Sequence, residues 1–247
     1  MTKERWDAAA ERFFNMEIPK WESDAFLQFA EPLFHEAPES VLDIGCGAGH
    51  YAIAVADRVC SVTGTDLSSE MIAFAQKNKA LHQKENIRFQ CEDWETVDLD
   101  TAGYRKAFDV VIAHRTPAIQ SRNGFEKMLD CCRKGGALAT FFRRKDPLLE
   151  QFLKETGTQR PAADMRWKEQ AQFYFDELWK RDLFPEVCYY RSACVMEDSE
   201  EAALTALRDR LPEHLAEQFF RQYAENGVLK RTIENIGVAI RWQMLKF

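Results

Sequence analysis

The 247-residue sequence has little that would suit it to a membrane or to a nucleic-acid backbone. No run approaches the ~18 consecutive apolar residues of a spanning helix, and the start, MTKERWDAAAERFF, carries charges where a secretory signal has its apolar stretch. Positive charge is also scarce, because 33 Lys and Arg face 40 Asp and Glu, for a net charge of −7. We therefore expect no membrane partner and no nucleic-acid partner.

Paired cysteines and metal-ligand spacings are missing as well. The seven cysteines form no CxxC pair, and the neighbours Cys131 and Cys132 are too constrained by the backbone to bridge each other. Neither cysteine nor histidine shows the spacing of a zinc site. The sequence thus predicts reduced thiols, no bound metal and a cytoplasmic location.

What is present is a regular alternation of two patterns. Short apolar runs bounded by turn-forming or charged residues indicate buried strands, and between several of them lie helical patterns. The predicted strands are 40–44, 61–66, 87–91, 108–113 and 137–142, and the predicted helices are 49–58, 68–82 and 124–133. This order predicts an α/β fold with a doubly wound, mainly parallel sheet.

Aromatic-rich segments flank this predicted core on both sides. Two helices are expected before it, at 3–16 and 21–35, and a largely helical stretch after it, at 147–182. Beyond that, EVCYYRSACVM (186–196) is typical of a strand and GVAIRWQMLKF (237–247) of a final strand, with helices expected at 199–211 and 212–226 between them. Pro212 suits the first turn of the latter helix, and Gly227 suits its end.

The stretch VLDIGCGAGHYAIAVA, residues 41–56, places three glycines between a strand and a helix. Glycine permits positive φ and lets a ligand approach the backbone, so a ligand-facing turn is expected. A dinucleotide fingerprint would require a small residue where His50 stands. Asp43 would repel a pyrophosphate and attract a cationic amino-acid group instead. The charge pattern favours a ligand that carries an ammonium.

Acidic residues follow the next two predicted strands. Asp66 ends the second strand about 20 residues after the glycine turn, where a carboxylate accepts hydrogen bonds from ribose hydroxyls. Asp93 and Trp94 follow the third strand, where an acid and a ring suit the amino group and the face of adenine. A short acidic loop is also typical of a helix cap or a solvated turn. Asp66 indicates a nucleoside ligand.

As an ordered set, these segments resemble the class I S-adenosylmethionine-dependent methyltransferases. The matching pieces, within 41–142, are DIGCGAG, TGTDLSSEMIAFAQ, CEDW, FDVVIAH and RKGGALATFF. The resemblance implies a Rossmann-like sheet of seven strands, mostly parallel with the last antiparallel, and a helical cap. We accordingly expect an N-terminal helical lid (1–36), an S-adenosylmethionine-binding core (37–143), and cap insertions with the last two strands (144–247).

The resemblance also implies which residues hold S-adenosylmethionine. Asp43 and the glycines would face its methionine part, Asp66 its ribose, and Leu67 or Met71 with Asp93 and Trp94 its adenine. The full candidate cofactor set is Asp43, Gly45, Cys46, Gly47, Gly49, Asp66, Leu67, Met71, Asp93, Trp94 and Ala113. Trp6 or Phe14, in the first predicted helix, is a candidate cover for the cofactor.

Two residues after the fourth strand are candidates for work on the methyl acceptor. His114 lies where open α/β sheets bind ligands, and imidazole is suited to accept a proton near neutral pH. The alternative is that His114 only packs or caps the loop. Arg115 is a candidate anchor for an acceptor carboxylate or phosphate, or else a surface or helix-dipole partner. The run His-Arg-Thr-Pro lacks the N/D-P-P-Y/F motif of amino-methylating relatives.

The sequence therefore predicts a methyltransferase that transfers a methyl group to a small molecule by in-line displacement. It leaves open whether the acceptor atom is oxygen, nitrogen, carbon or sulfur, and it does not indicate the oligomeric state. A non-catalytic protein that binds S-adenosylmethionine or a nucleoside for regulation is the alternative from another class. An NAD-dependent oxidoreductase comes third, since His50 and Asp43 both disfavour it.

Overall fold

A computed structural model describes residues 3–158, 163–207 and 211–244 and contains a seven-stranded sheet. The strands are β1 (Ser40–Ile44), β2 (Ser61–Asp66), β3 (Ile87–Cys91), β4 (Phe108–His114), β5 (Cys132–Lys145), β6 (Glu186–Ser199) and β7 (Val228–Gln243). Their order across the sheet is β3-β2-β1-β4-β5-β7-β6. The pairs from β3 to β5 are parallel, and the C-terminal strand is antiparallel. The predicted fold class is confirmed.

Nine α-helices lie within the described residues. They are α1 (Lys3–Phe14), α2 (Ala25–Ala30), α3 (His50–Val55), α4 (Ser69–Leu81), α5 (Arg122–Cys131), α6 (Pro147–Thr156), α7 (Ala163–Trp179), α8 (Glu200–Leu207) and α9 (Glu213–Tyr223). Side chains at several N-termini accept hydrogen bonds from otherwise unsatisfied backbone N–H groups, as Ser68 does for α4, Ser121 for α5 and Asp146 for α6. None of the described helices is long and apolar enough to span a bilayer.

The sheet reverses its winding between β1 and β4. The chain leaves β1 towards β2 on one side and later returns to place β4 on the other, with Leu42 paired to Val111. In open α/β sheets such a switch point opens a crevice at the carboxyl ends of the two strands. The glycine turn follows β1 at this edge, and His114 ends β4 there. The topology thus places the two sets of candidate residues at one crevice.

The chain divides into two units, each with its own apolar core. The first takes its described residues from Met1–Thr140, Gln172–Cys188 and Val238–Phe247, and the second from Phe141–Ala171 and Tyr189–Gly237. The first contains the parallel strands, whose buried residues include Val41, Leu42, Val111 and Ile112. The second packs Phe152, Leu207, Phe219 and Leu229 together. All candidate site residues belong to the first unit.

The segment before β1 is less helical than the periodicity predicted. Residues 21–24 form turns, with the N–H groups of Ser23 and Asp24 bonded to the Lys20 carbonyl. The helix starts only at Ala25, because the Asp24 carboxylate accepts from the Leu27 N–H, 2.9 Å away. A 3-10 turn, Glu31–Phe34, replaces the expected last α-helical turn, and Pro32 within it has no N–H to donate.

Two late strands are longer than their apolar runs. β5 extends the predicted 137–142 at both ends, and β7 begins nine residues before the predicted 237. In the first half of β7 buried and exposed residues alternate. Its exposed charged side chains therefore interrupt the apolar run that would indicate a buried strand. Gly227 does not end α9, which stops at Tyr223; with φ +76° it lies in the turn that leads into β7. Residues 245–247 of the predicted final strand lie outside the described residues.

The helical predictions after β5 are met in part. The stretch 147–182 contains α6 and α7, with residues 159–162 outside the description, and the helix expected at 199–211 is α8, with residues 208–210 outside it. Pro212 is the N-cap of α9 rather than part of its first turn. The helix expected at 124–133 begins two residues earlier, because the Ser121 hydroxyl caps it by accepting from the Gly124 N–H.

Candidate functional site

The three glycines of the turn after β1 all have positive φ, and each occupies a different environment. A Cβ on Gly45 would lie 1.9 Å from the Thr116 Oγ1, and one on Gly49 would lie 2.6 Å from the Phe89 ring. A Cβ on Gly47 would meet only the Met71 sulfur, at 3.9 Å. Gly45 and Gly49 are therefore required by the protein's own packing. Only at Gly47 is the backbone unobstructed from that direction.

Asp66, at the end of β2, ties the glycine turn to helix α4. One carboxylate oxygen accepts from the Gly47 N–H and the other from the Ser68 N–H, each at 2.9 Å. Burial raises the pKa of Asp66, and these two N–H groups oppose the rise by stabilising the charged form. Each carboxylate oxygen has a second lone pair, so the group retains the capacity to accept from two hydroxyls.

Asp43 has a buried side-chain oxygen without a hydrogen-bond partner. Its side chain is buried in β1, and its Oδ2 has no hydrogen-bond partner, although the carboxylate accepts from the Ala52 N–H. Burial raises the pKa of Asp43 to about 7, and the nearby Asp66 adds to the rise. A buried acceptor without a donor is costly, so this pocket electrostatically favours a cationic donor. An amino-acid ammonium has the required charge and hydrogens.

Helix α1 packs against the same edge. The Ser68 hydroxyl donates to Asp7, Phe14 packs on Phe74 with ring centroids 4.9 Å apart, and a ring nitrogen of His50 lies 3.1 Å from the Met16 carbonyl oxygen. These contacts fix the N-terminal segment beside the glycine turn and the start of α4. Trp6 is on the same helix, with its ring 6.2 Å from that of Phe13.

The residues predicted around adenine differ in exposure. Trp94 is buried, its indole N–H donates to the Gly124 carbonyl at 2.9 Å, and its ring stacks on Tyr104. Asp93 is exposed, and its carboxylate accepts from the Glu95 N–H within the loop. Leu67 is half-buried and Met71 is buried. Asp93 and Leu67 are thus the accessible members of this set.

The remaining candidate cofactor residues are buried, one in the glycine turn and one at the end of β4. Cys46 is buried, its Sγ lies 3.6 Å from the Gly47 carbonyl oxygen, and burial raises its thiol pKa well above the usual range. Ala113 is fully buried in β4, directly before His114. Neither side chain therefore carries a charge that could hold a ligand. Among the described residues, no cluster of three or more His, Cys, Asp or Glu has the geometry to hold a metal ion.

His114 lies among aromatic rings at the end of β4. Its ring centroid is 4.2 Å from that of Tyr51 and 5.0 Å from that of Phe26. Its Nε2 is 3.1 Å from the Tyr51 hydroxyl, which also lies 3.2 Å from the Asp24 carboxylate. Burial lowers the pKa of His114 well below its usual range, and the positive charge of Arg115 lowers it further. The imidazole is therefore neutral at physiological pH.

Sequence reasoning missed Asp24, Tyr51 and Phe26. Asp24 and Phe26 stand far from the glycine motif in the sequence, and Tyr51 is one residue of the helical pattern that follows it. The only local signal was an aspartate in a position to cap a helix. It is the packing of α2 against α3 and β4 that brings the three side chains to His114.

Arg115 and Thr116 connect the two loops of the crevice. Arg115 has a left-handed backbone (φ +51°), a conformation that costs a side chain energy and is found disproportionately at functional sites. Its N–H donates to the Ala139 carbonyl at 2.8 Å, which holds that conformation in place. Thr116 contacts Gly45 and caps the short 3-10 helix Pro117–Ile119 by accepting from the Ala118 N–H.

A known protein family matches more than half of this chain. The family described as "Methyltransferase domain" matches residues 35–182, which include the glycine turn, Asp66 and His114. The chain belongs to this methyltransferase family. The resemblance to class I S-adenosylmethionine-dependent methyltransferases that the sequence motifs indicate is thereby confirmed.

Individual relatives of the methyltransferase differ in the acceptors that their names state. The chain is 36% identical over 85 residues to the ubiquinone biosynthesis O-methyltransferase of Coxiella burnetii, a match that spans 34% of each protein. It is 27% identical over 153 residues to the release factor glutamine methyltransferase of Fusobacterium nucleatum, covering 57% of this chain and 41% of that protein. The chain thus spans about a third of the length of the first of these relatives and two fifths of the second.

A solved structure supports the fold of this methyltransferase. The precorrin-6y C5,15-methyltransferase of Geobacter metallireducens superposes with a TM-score of 0.51 over 89% of both chains. Its sequence identity is only 9%, so the likeness concerns the arrangement of helices and strands and not the acceptor.

Proposed function

We propose that the protein transfers a methyl group from S-adenosylmethionine to a small-molecule acceptor. The observation that carries the proposal is the buried, unpartnered Oδ2 of Asp43 beside the glycine turn. A dinucleotide phosphate would be repelled there, whereas the ammonium of the methionine part would complete the hydrogen bonding of that oxygen. Membership of the methyltransferase family supports the same cofactor.

In this proposal the crevice residues divide among the parts of the cofactor. Asp43 and the backbone of the glycine turn bind the amino-acid part, and Asp66 accepts from the ribose hydroxyls. Leu67 and the exposed Asp93 contact the adenine, with Trp94 and Met71 supporting them from the core. Cys46 and Ala113 contribute backbone to the walls. The bound cofactor supplies an electrophilic methyl group on a sulfonium, and the chain's own residues align it and exclude water.

On the acceptor side, we propose that His114 is a general base and Arg115 an anchor for an acidic group. His114 is neutral and stands at the switch point of the sheet, so it can accept a proton as the acceptor attacks. A small acceptor is supported by the relative named for ubiquinone biosynthesis, and the net charge of −7 disfavours nucleic acid. Another relative is named as a release factor glutamine methyltransferase, so the experiment must also test a protein acceptor.

The first experiment is calorimetric titration of the full chain with S-adenosylhomocysteine, with NADH as the parallel control. We expect micromolar binding of S-adenosylhomocysteine alone. The same protein with S-adenosylmethionine is then incubated with a small-metabolite pool and, separately, with a bacterial protein extract. Formation of S-adenosylhomocysteine only with the metabolite pool supports the proposal. Binding of NADH, or of neither ligand, contradicts the cofactor assignment, and turnover only with protein contradicts the acceptor class.

A further inference from the structure

The loop that follows β3, residues 92–97, is fastened to helix α5, and we refer to it as the β3 loop. Lys127, half-buried on α5, donates from Nζ to three carbonyls of this loop: Trp94 at 3.3 Å, Glu95 at 2.8 Å and Val97 at 2.7 Å. An ammonium has three N–H groups, so these carbonyls occupy all of its donors. The bonding capacity of Lys127 is therefore directed at the backbone of the β3 loop.

The start of α5 holds the same loop through the side chain of Glu95. The Ser121 hydroxyl donates to one carboxylate oxygen at 2.6 Å, and the Asn123 amide donates to the other at 3.2 Å. The hydrogen bond from Ser121 lowers the pKa of Glu95 against a smaller effect of desolvation, and Asn123 and the positive charge of Lys127 add to the lowering. Glu95 is therefore a charged acceptor at neutral pH.

Asp93 depends on this attachment for its orientation. At the start of the loop, the Glu92 N–H donates to the Asp66 carbonyl at 2.9 Å. The exposed Asp93 carboxylate accepts from the Glu95 N–H at 3.0 Å, and the Glu95 carbonyl is one of the three that Lys127 holds. A shift of the Glu95 backbone would therefore move the donor that orients the Asp93 carboxylate.

We propose that Lys127 is a positioning residue, which fixes the β3 loop so that the Asp93 carboxylate accepts from the 6-amino group of the cofactor's adenine. The inference rests on the proposed function, which places Asp93 at the adenine. It extends that function by assigning part of the choice of base to a residue of α5 that acts through Asp93. Loss of Lys127 should lower the preference of the site for adenine over hypoxanthine.

The choice between these bases depends on where the carboxylate is held. The 6-amino group of adenine donates a hydrogen bond, whereas hypoxanthine has a carbonyl oxygen at the same position, which a carboxylate repels. Both effects decline as the distance and angle depart from hydrogen-bonding geometry. A β3 loop released from Lys127 would have to be ordered again on binding, and its carboxylate could turn away from a carbonyl. Adenine binding should therefore weaken more than hypoxanthine binding.

The test compares S-adenosylhomocysteine with S-inosylhomocysteine, which has an oxygen in place of the 6-amino group, by calorimetric titration of the full chain. We expect the wild type to prefer the adenine compound by at least about 10-fold, from one charged hydrogen bond. Lys127→Met retains the length of the side chain without its donors and should lower this preference at least about 3-fold. Lys106→Met is the matched control. Lys106, before β4, also donates to two carbonyls, at 3.0 and 3.2 Å, and its loss should leave the preference unchanged.

A double-mutant cycle tests the route through Asp93. Asp93→Ala should remove most of the preference for adenine, and adding Lys127→Met should then change the ratio of the two affinities no further. Additive effects on that ratio would show that Lys127 acts by another route. Asn123→Ala, at an exposed residue, removes a second attachment of the β3 loop and provides the test if Lys127→Met does not fold. It should lower the same preference by a smaller factor.

Several outcomes would overturn the positioning role. These are equal binding of both compounds by the wild type, a proportional loss of both affinities in Lys127→Met, and a lower preference in Lys106→Met. The second would indicate a merely structural role. If the wild type prefers S-adenosylhomocysteine whether or not Lys127 is present, the proposed function stands and only this inference fails. If the wild type binds neither compound, the proposed function fails, and this inference fails with it.

Discussion

The carboxylate of Asp66 accepts a 2.9 Å hydrogen bond from the backbone N–H of Gly47. The contact joins the end of β2 to the glycine turn that follows β1, so in the proposed function one side chain both holds the turn and accepts from the cofactor ribose. A residue with both functions has a mutational signature of its own. Its loss should weaken ligand binding and stability together.

Asp66→Ala should lower the affinity for S-adenosylhomocysteine by about 1–3 kcal/mol and the free energy of unfolding by a similar amount, because backbone N–H groups and ribose hydroxyls lose a charged acceptor. Calorimetric titration and urea unfolding measure the two effects. Asp57→Ala is the control, since Asp57 is exposed and pairs with Lys84 at the surface, so its loss should change stability by less than about 1 kcal/mol. Unchanged affinity in Asp66→Ala would show that the cofactor binds elsewhere.

Asp43 predicts opposite pH dependences for folding and for binding. Its pKa is raised to about 7 in the fold, above the ordinary value of 3.8, so its contribution to stability is full below pH 4 and is lost as pH rises through 7. Asp43→Asn should therefore remove part of the fall in stability of the ligand-free protein between pH 4 and 7. An ammonium requires the charged carboxylate, so affinity for S-adenosylhomocysteine should rise over the same interval.

Urea unfolding and calorimetric titration at pH 5, 6, 7 and 8 measure how the stability and the affinity for S-adenosylhomocysteine each depend on pH. The variant Asp43→Asn should bind S-adenosylhomocysteine more than about 10-fold more weakly at pH 8 and lose the pH dependence of binding. Tight binding by this variant at every pH would rule out the ammonium contact.

His114→Ala should lose most turnover but little cofactor affinity, because a base acts on the acceptor and not on the cofactor. We expect kcat to fall at least about 100-fold, the lower range for general-base catalysis. His35→Ala, at an exposed histidine, is the comparison variant and should keep full activity. Full activity of His114→Ala would remove this residue from catalysis and assign it to packing.

Gly45 tests the contact between the two loops of the crevice. In Gly45→Ala the new Cβ would meet the Thr116 Oγ1 at 1.9 Å in a backbone with φ +66°. Gly103→Ala places a Cβ at a similar φ, +71°, with nothing within 4 Å, so it isolates the backbone cost of about 1–2 kcal/mol. We expect Gly45→Ala to be more destabilised than Gly103→Ala in urea unfolding. Equal losses would mean that Thr116 moves aside without cost.

The second unit contains a buried charge cluster whose disruption should be severe. Arg231 donates to Asp146 at 2.8 Å and to Asp198 at 2.7 Å, and all three side chains are buried. Asp198→Ala leaves part of the guanidinium charge uncompensated and should cost about 3–5 kcal/mol in urea unfolding. Glu197→Ala breaks the exposed pair with Lys230, one residue earlier on the same strand, and should cost less than about 1 kcal/mol. Similar losses in both variants would contradict a buried role for the cluster.

Local sequence was most informative where strands are buried on both faces. The bounds of β1 and β2 coincide with their apolar runs because neighbouring strands and covering helices leave little room for polar residues. β7 was recognised only in its second half, since its first half alternates with exposed charges, and the start of α2 was displaced by the cap at Asp24. The ends of strands and the caps of helices depend on contacts with residues that a short window of sequence does not contain.

The order of strands and helices, the glycine turn between β1 and α3, and the positions of Asp43, Asp66 and His114 at strand ends could all be predicted from the amino-acid sequence. These follow from local periodicity and from the carboxyl-end rule for parallel sheets. It took the folded arrangement to show that Asp43 keeps an unpartnered oxygen, that the Trp94 N–H donates to Gly124, and that Asp24 and Tyr51 lie beside His114. Hydrogen bonding and desolvation depend on atoms a few ångströms away in space, and those atoms come from residues tens of positions apart in the chain.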